Sequence, residues 1–124
     1  MKMKNLIIIA FVSIFTISCS KDNKNLKEYV IEVTTFKYNK NVDPIKFWKR
    51  DKEIETDYTV KQPGFISRES GYSENNNEVL VVVRWNSKSN ADASMKKFMS
   101  DISVQDYAAM INTSTMKMNR YQVK

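Results

Sequence analysis

From Glu28 to Lys37 the chain reads EYVIEVTTFK, in which Val, Ile, Thr and aromatic residues alternate across a two-residue period, and this predicts a strand. YNKNVDP then turns the chain, with Asp43 placed to cap a helix and Pro44 at its first position, where a missing N–H costs nothing. The predicted helix runs to about Lys61. At 100° per residue Phe47, Ile54 and Tyr58 fall in one stripe, with Asp51 on its edge. QPG ends the helix, because Gln62 precedes a proline and Gly64 permits a positive φ.

FISRESGYS and EVLVVVRWN are two further strand-like runs, joined by the turn-tolerant Glu74 to Asn77 as a hairpin. SKSNADASMKKFMSDI places Met95, Phe98, Met99 and Ile102 at i, i+3, i+4 and i+7, a helical face that Ser89 or Asn90 can cap. A short broken helix over Val104 to Ile111 leads to a last strand, Thr115 to Val123, with Met116 and Met118 on one side. The order β-α-β-β-α-β predicts an α+β, ferredoxin-like domain: a four-stranded antiparallel sheet with two helices on one face. Val79, Val81 and Val83 alternate with Leu80 and Val82, so both sides of that strand are apolar and the second face calls for a partner subunit.

The first eighteen residues depart from this periodicity. MKMKNLIIIAFVSIFTIS has a basic start, an apolar run from Leu6 to Ile17 and a small residue at its end, the anatomy of an export signal. As a helix that run rises only about 18 Å, short of the ~20 residues a bilayer core requires. Cys19 follows, and the junction resembles the lipobox of bacterial lipoproteins, whose cysteine is lipid-modified and becomes the first mature residue; an ordinary cleaved signal with an incidental Cys is the other reading. The polar SKDNKNLK has too little apolar surface to order itself and reads as a tether, so 19–27 is expected to be linker and 28–124 the single domain. Ser20 after the cysteine resembles the outer-membrane sorting pattern of Gram-negative lipoproteins.

Composition narrows the chemistry further. The net charge is +6, and loss of Lys2 and Lys4 with the signal leaves +4, dispersed along the chain rather than gathered as a nucleic-acid-binding patch. There is one Cys and no His, so neither an intramolecular disulfide nor a recognisable zinc, haem or Ser-His-Asp apparatus is expected.

At DYTVKQPGFISRE and VVVRWNSKSNADASMKKFM the chain resembles the antibiotic biosynthesis monooxygenase-like family of dimeric α+β barrels: a long first helix, a Pro-Gly-Phe elbow, a strand ending in Trp and a small-residue-rich second helix. The resemblance spans Tyr29 to Val123 and implies two ferredoxin-like sheets paired face to face as a homodimer, each subunit with a pocket between helices and sheet. Members include oxygenases that use no cofactor on phenolic polyketide-like substrates, haem degraders that ligate iron through a helical His, and proteins of undetermined activity. The oxygenases' pocket types are Trp and Asn on the third strand, an Arg and a Tyr. Trp85 stands at the matching strand end, while four residues earlier Val81 replaces Asn.

The candidate pocket residues are thus Trp85, Arg84, Tyr58, Asp51 and Arg68. Trp85 either stacks a planar ligand or packs against the second helix or the dimer seam. Arg84 and Arg68 bind a carboxylate or enolate, or pair with Glu69 or Glu32. Asp51 is either a base with a raised pKa or a surface acid paired with Lys52 or Arg50. Tyr58 lends its hydroxyl to the pocket or buries its ring with the hydroxyl at the rim, and Met95, Met99, Met116 and Met118 are packing. Two functions remain: a lipid-anchored homodimer that binds a small ligand, a small aromatic among the candidates, or serves as scaffold, and a cofactor-independent monooxygenase on a phenolic or quinol-like substrate.

Overall fold

The computed structural model describes residues 28–124; the signal, Cys19 and the tether lie outside the described residues. Its elements are β1 (Tyr29–Tyr38), α1 (Pro44–Glu53), β2 (Phe65–Ser73), β3 (Glu78–Trp85), α2 (Lys88–Ser100), α3 (Gln105–Met110) and β4 (Ile111–Val123). The sheet order is β2-β3-β1-β4, with every pairing antiparallel. This is the ferredoxin-like arrangement, α1 and α2 covering one face.

The alternation of β1 and β3 sorts their residues as expected. Val30 and Phe36, with Val79, Val83 and Trp85, point at the helices and are buried. Phe47 on α1 meets them with no exposed surface and packs against Phe36, Tyr38, Trp48 and Tyr107 at ring separations of 5.1–6.0 Å. Burying such a ring stabilises the fold by roughly 2–3 kcal/mol. The opposite face carries Ile31, Val33, Leu80, Val82 and Tyr121; no element of the described residues covers it, and Tyr121 is 56% exposed.

Asp43 caps α1 as expected, accepting from the Ile45 N–H at 2.9 Å, and Pro44 follows. The helix does not continue to Lys61 as one α-helix. After Glu53 it widens into a π turn, Ile54–Tyr58, and then tightens into a 3-10 turn, Thr59–Lys61. The extra residue per turn rotates Tyr58 and Thr59 away from where a 3.6-residue period would carry them, the kind of local widening that recurs at functional sites.

Gly64 adopts φ +79° in the elbow before β2, and a Cβ there would fall within 2.4 Å of both the Asn86 Oδ1 and the Asn90 Nδ2, so both geometry and space require glycine. α2 is capped by Ser87, not by Ser89 or Asn90: a cap needs extended backbone, which Ser87 has, and its hydroxyl accepts from the Asn90 N–H at 3.1 Å. α2 ends at Ser100, so Ile102 leaves the expected helical face, enters a 3-10 turn and is 89% exposed. β4 begins at Ile111, four residues before the expected Thr115, because a bulge between Thr35 and Lys37 lets β1 pair onward to Ile111.

Candidate functional site

Two acid–arginine pairs stand on the helix-facing side of the sheet. Asp51 lies at i+4 from Phe47 and i−3 from Ile54, inside the buried stripe rather than on its edge, and is 2% exposed. Arg68 on β2 meets it with two N–H groups, at 2.6 and 3.2 Å. The hydroxyls of Ser70 and of Tyr107 on α3 donate to the same carboxylate, the latter at 2.7 Å. Burial pushes the Asp51 carboxyl up, but the hydrogen bonds and charge of Arg68, aided by the two hydroxyls, outweigh it and hold the group below the usual carboxylate range. Asp51 is therefore neither a base with a raised pKa nor a surface partner of Lys52 or Arg50. Burial and the adjacent Asp51 charge push the Tyr107 hydroxyl far up, so it stays a protonated donor.

Glu32, on β1, faces the helices between Val30 and Thr34 and is 5% exposed. It does not meet Arg68. Its cross-strand neighbour Arg120 donates from Nε to the Glu32 Oε2 at 2.7 Å, while another Arg120 nitrogen bonds Asp92 on α2, which also holds Lys88 at 2.8 Å. The Glu32 Oε1 makes no hydrogen bond among the described residues and, unlike the Tyr58 hydroxyl and the Trp85 Nε1, is not sealed from solvent.

Between these pairs and α2 lies a cavity of about 110 Å³. Its polar lining includes Glu32, Arg68, Tyr58, Tyr107 and Ser94, and its aromatic and aliphatic lining includes Trp85, Phe98 and Val81. Met95, Met99 and Met116 complete the wall, and Met99, 67% exposed, marks the mouth. The methionines thus face a void as well as packing the core, which suits a side chain that re-packs easily. Two donors in the wall are buried and unpaired: the Tyr58 hydroxyl and the Trp85 indole Nε1. Buried groups of this kind are rare, because each forfeits its hydration without a replacement bond. Burial and the nearby Asp101 charge push the Tyr58 hydroxyl up, keeping it protonated. Its ring meets Phe98 edge-on at 6.0 Å and carries the Lys97 ammonium 5.6 Å from its centre.

Of the five residues predicted from sequence, Trp85, Tyr58 and Arg68 line this cavity. Asp51 stands behind Arg68 and orients it. Arg84 does not reach the cavity: it lies on the uncovered face, paired with Glu69 at 3.4 Å, since side chains alternate along β3 and Trp85 takes the helix side. Glu32 and Tyr107 were missed as wall residues. For Glu32 a signal existed, its place in the alternation between Val30 and Phe36. For Tyr107 none did, because α3 is too short to show a period. Among the described residues no group of three His, Cys, Asp or Glu side chains is placed to hold a metal ion.

No protein-family model and no curated protein matches the chain in sequence. Solved structures do match in shape. SnoaB, a cofactor-independent oxygenase from Streptomyces nogalater, superposes with a TM-score of 0.61 at 13% identity over 77% of this chain and 93% of its own. The fold is that of the monooxygenase-like proteins. A monooxygenase from the gene ActVA-Orf6 of Streptomyces coelicolor, in complex with nanaomycin D, gives 0.58 at 14% identity, covering 82% of this chain and 92% of its own. A Chloroflexus aurantiacus protein described as an antibiotic biosynthesis monooxygenase gives 0.58 at 10% identity, over 78% and 93%. At these identities the likeness carries the architecture and leaves activity to the residues.

Proposed function

We propose that the domain binds a small aromatic ligand in the cavity beneath α2. The observation that carries this is the pair of unpartnered donors, the Tyr58 hydroxyl and the Trp85 Nε1, in the wall of an otherwise largely apolar cavity. Binding sites of small molecules combine apolar lining with few polar groups that set orientation. The volume selects the ligand: about 110 Å³ is of the order of the ~150 Å³ apolar cavity that accepts benzene, and well below the ~300 Å³ at which drug-sized pockets begin. One ring fits; a fused polycycle requires the three methionines to move.

The test is thermal unfolding of the full chain with one-ring and three-ring aromatic probes. One-ring probes should raise the melting temperature, and Ser94→Phe, which fills the cavity from α2, should abolish the rise. A shift unaffected by Ser94→Phe would place binding elsewhere.

The second reading is a cofactor-independent monooxygenase in which molecular oxygen reacts with the anion of a phenolic or quinol-like substrate. The monooxygenase fold of the structural neighbours and Trp85 at the end of β3 favour it; Val81 in place of Asn stands against it. Oxygen uptake with a hydroquinone, absent in Trp85→Phe, would favour the enzyme.

The setting belongs to the same proposal. The chain is an exported lipoprotein, acylated at Cys19 and held at the outer membrane, and it pairs through the uncovered sheet face of Ile31, Val33, Leu80 and Val82. The export-signal pattern and the apolar content of that face support these steps. Labelled palmitate incorporation lost in Cys19→Ala tests the anchor. Sedimentation of the chain with Val82→Lys, expected as monomer against a dimeric parent, tests the pairing.

A further inference from the structure

The chain has seven methionines, of which Met1 and Met3 fall in the first eighteen residues. Four of the other five, all but Met110, gather where α2 crosses the edge strand β4. Their alignment follows from one anchor, the bond from Arg120 on β4 to Asp92 on α2. Both β3 and β4 pair antiparallel with β1, so they share a direction, and α2 leaves the end of β3 to pass back over the sheet. β4 and α2 therefore run in opposite directions from that anchor.

At 1.5 Å per helical residue Met95 and Met99 lie about 4.5 and 10.5 Å beyond Asp92. At 3.4 Å per strand residue Met118 and Met116 lie about 7 and 14 Å before Arg120. Met118 thus falls alongside Met95, and Met116 alongside Met99. Met116 and Met118 share the face of Arg120, which is the helix side, because Arg120 bonds Glu32 and Asp92 there. Met95, Met99 and Met116 stand in the wall of one cavity. Met99, Met116 and Met118 are exposed, so an ion reaches the seam without opening the core.

We propose that this seam binds a soft monovalent metal ion, Cu(I), with the sulfurs of Met95, Met99, Met116 and Met118 as its ligands. A thioether is a soft, uncharged donor, the kind that selects Cu(I), whereas harder ions take carboxylate, carbonyl or water oxygens. Methionine is unbranched and has three rotatable bonds, so sulfurs lining a common seam can converge on one ion while the backbone stays in place. Leucine would pack the seam equally well and offers no donor.

Four neutral sulfurs leave the charge of the ion uncompensated, and the surroundings suit it. Glu32 lies opposite Arg120 on β1, so it is a diagonal neighbour of Met118, and its Oε1 makes no hydrogen bond. The charge of Arg120 is matched by Glu32 and Asp92, and Asp92 also holds Lys88. The metal site goes beyond the aromatic-ligand reading and does not depend on it.

The experiment uses the full chain carrying Cys19→Ala, which removes the one thiol that would take the same ion, with isotope-labelled methionine methyl groups. Ag(I), a soft ion with the same ligand preference and no redox chemistry here, is titrated first, and Cu(I) under anaerobic conditions second. One equivalent of either should shift the methyl resonances of Met95, Met99, Met116 and Met118 together and leave that of Met110 in place, each signal being assigned by its loss in a single leucine variant. Met116→Leu joined to Met118→Leu keeps side-chain volume and should abolish the binding, while Met110→Leu should leave it unchanged. Should the double variant not fold, Met99→Leu at the exposed mouth decides alone, with weakened binding expected. Undiminished binding in the variants, shifts confined to Met1, Met3 and Met110, the same shifts with Zn(II), or no binding of Ag(I) or Cu(I) would each overturn the thioether site and leave the ligand-binding reading standing.

Discussion

The two acid–arginine pairs on the inner face of the sheet look alike in composition and differ in how fully they are bonded. Asp51 accepts from Arg68, Ser70 and Tyr107, and both charged side chains are 3% exposed. Glu32 gives one oxygen to an arginine that it shares with Asp92 and leaves the other oxygen without a protein partner. A saturated buried pair joins α1, β2 and α3, whereas an unsaturated one at a cavity wall keeps a bond to offer. Composition alone would have ranked them as equals.

The largest effect should come from breaking the saturated pair. Asp51→Asn leaves the Arg68 charge buried without compensation and should destabilise the chain by about 3–5 kcal/mol in urea unfolding. Joining Asp51→Leu to Arg68→Met should recover part of that loss, because it removes the uncompensated charge while leaving the buried Tyr107 hydroxyl without its acceptor. If Asn alone cost less than about 1 kcal/mol, the pair would not be the structural one.

Acid provides the same cut without mutation. The Asp51 carboxyl sits below its unfolded-chain value, so its contribution is complete above the ordinary Asp value of about 3.9 and is lost as pH falls through the lower folded value. Unfolding followed from neutral pH downward should therefore show a steeper fall below about pH 4 in the parent chain than in the Leu/Met double variant. Parallel curves would remove Asp51 as the acid-sensitive group.

Glu32→Gln should cost less, about 1–2 kcal/mol, because Arg120 keeps Asp92 and an amide can still accept from it. A loss as large as that of Asp51→Asn would erase the distinction between the pairs. Smallest of all, Tyr58→Phe should change stability by less than about 1 kcal/mol, and in the stabilising direction, since it removes a buried donor that has no acceptor in the empty chain. A clear destabilisation would mean that the hydroxyl has a partner.

Short-range physics made the strands, the Asp43-Pro44 helix start and the Gly64 elbow legible, because alternation, capping and a positive φ are properties of a few neighbouring residues. The helical period puts Tyr58 on the inward stripe of the predicted first helix and the family resemblance puts Trp85 at the end of β3, and both side chains line the cavity. It erred where a choice depended on distant chain. The period puts Asp51 on the edge of the apolar stripe of α1, yet Arg68, Ser70 and Tyr107 converge on it from later elements and make its burial favourable. Arg84 and Arg68 looked equivalent, and the bulge between Phe65 and Ser67 in the β2–β3 register, together with alternation, sent one outward and one inward.

By itself, then, the sequence determined the element order and the α+β class, because hydrophobic periodicity is local and robust. Only the tertiary structure decided which carboxylate is bonded to saturation and which faces the cavity. Hydrogen-bond saturation depends on how many donors the folded chain brings to one oxygen, and residues 32 and 120, or 51 and 107, are neighbours only after the sheet and helices have packed.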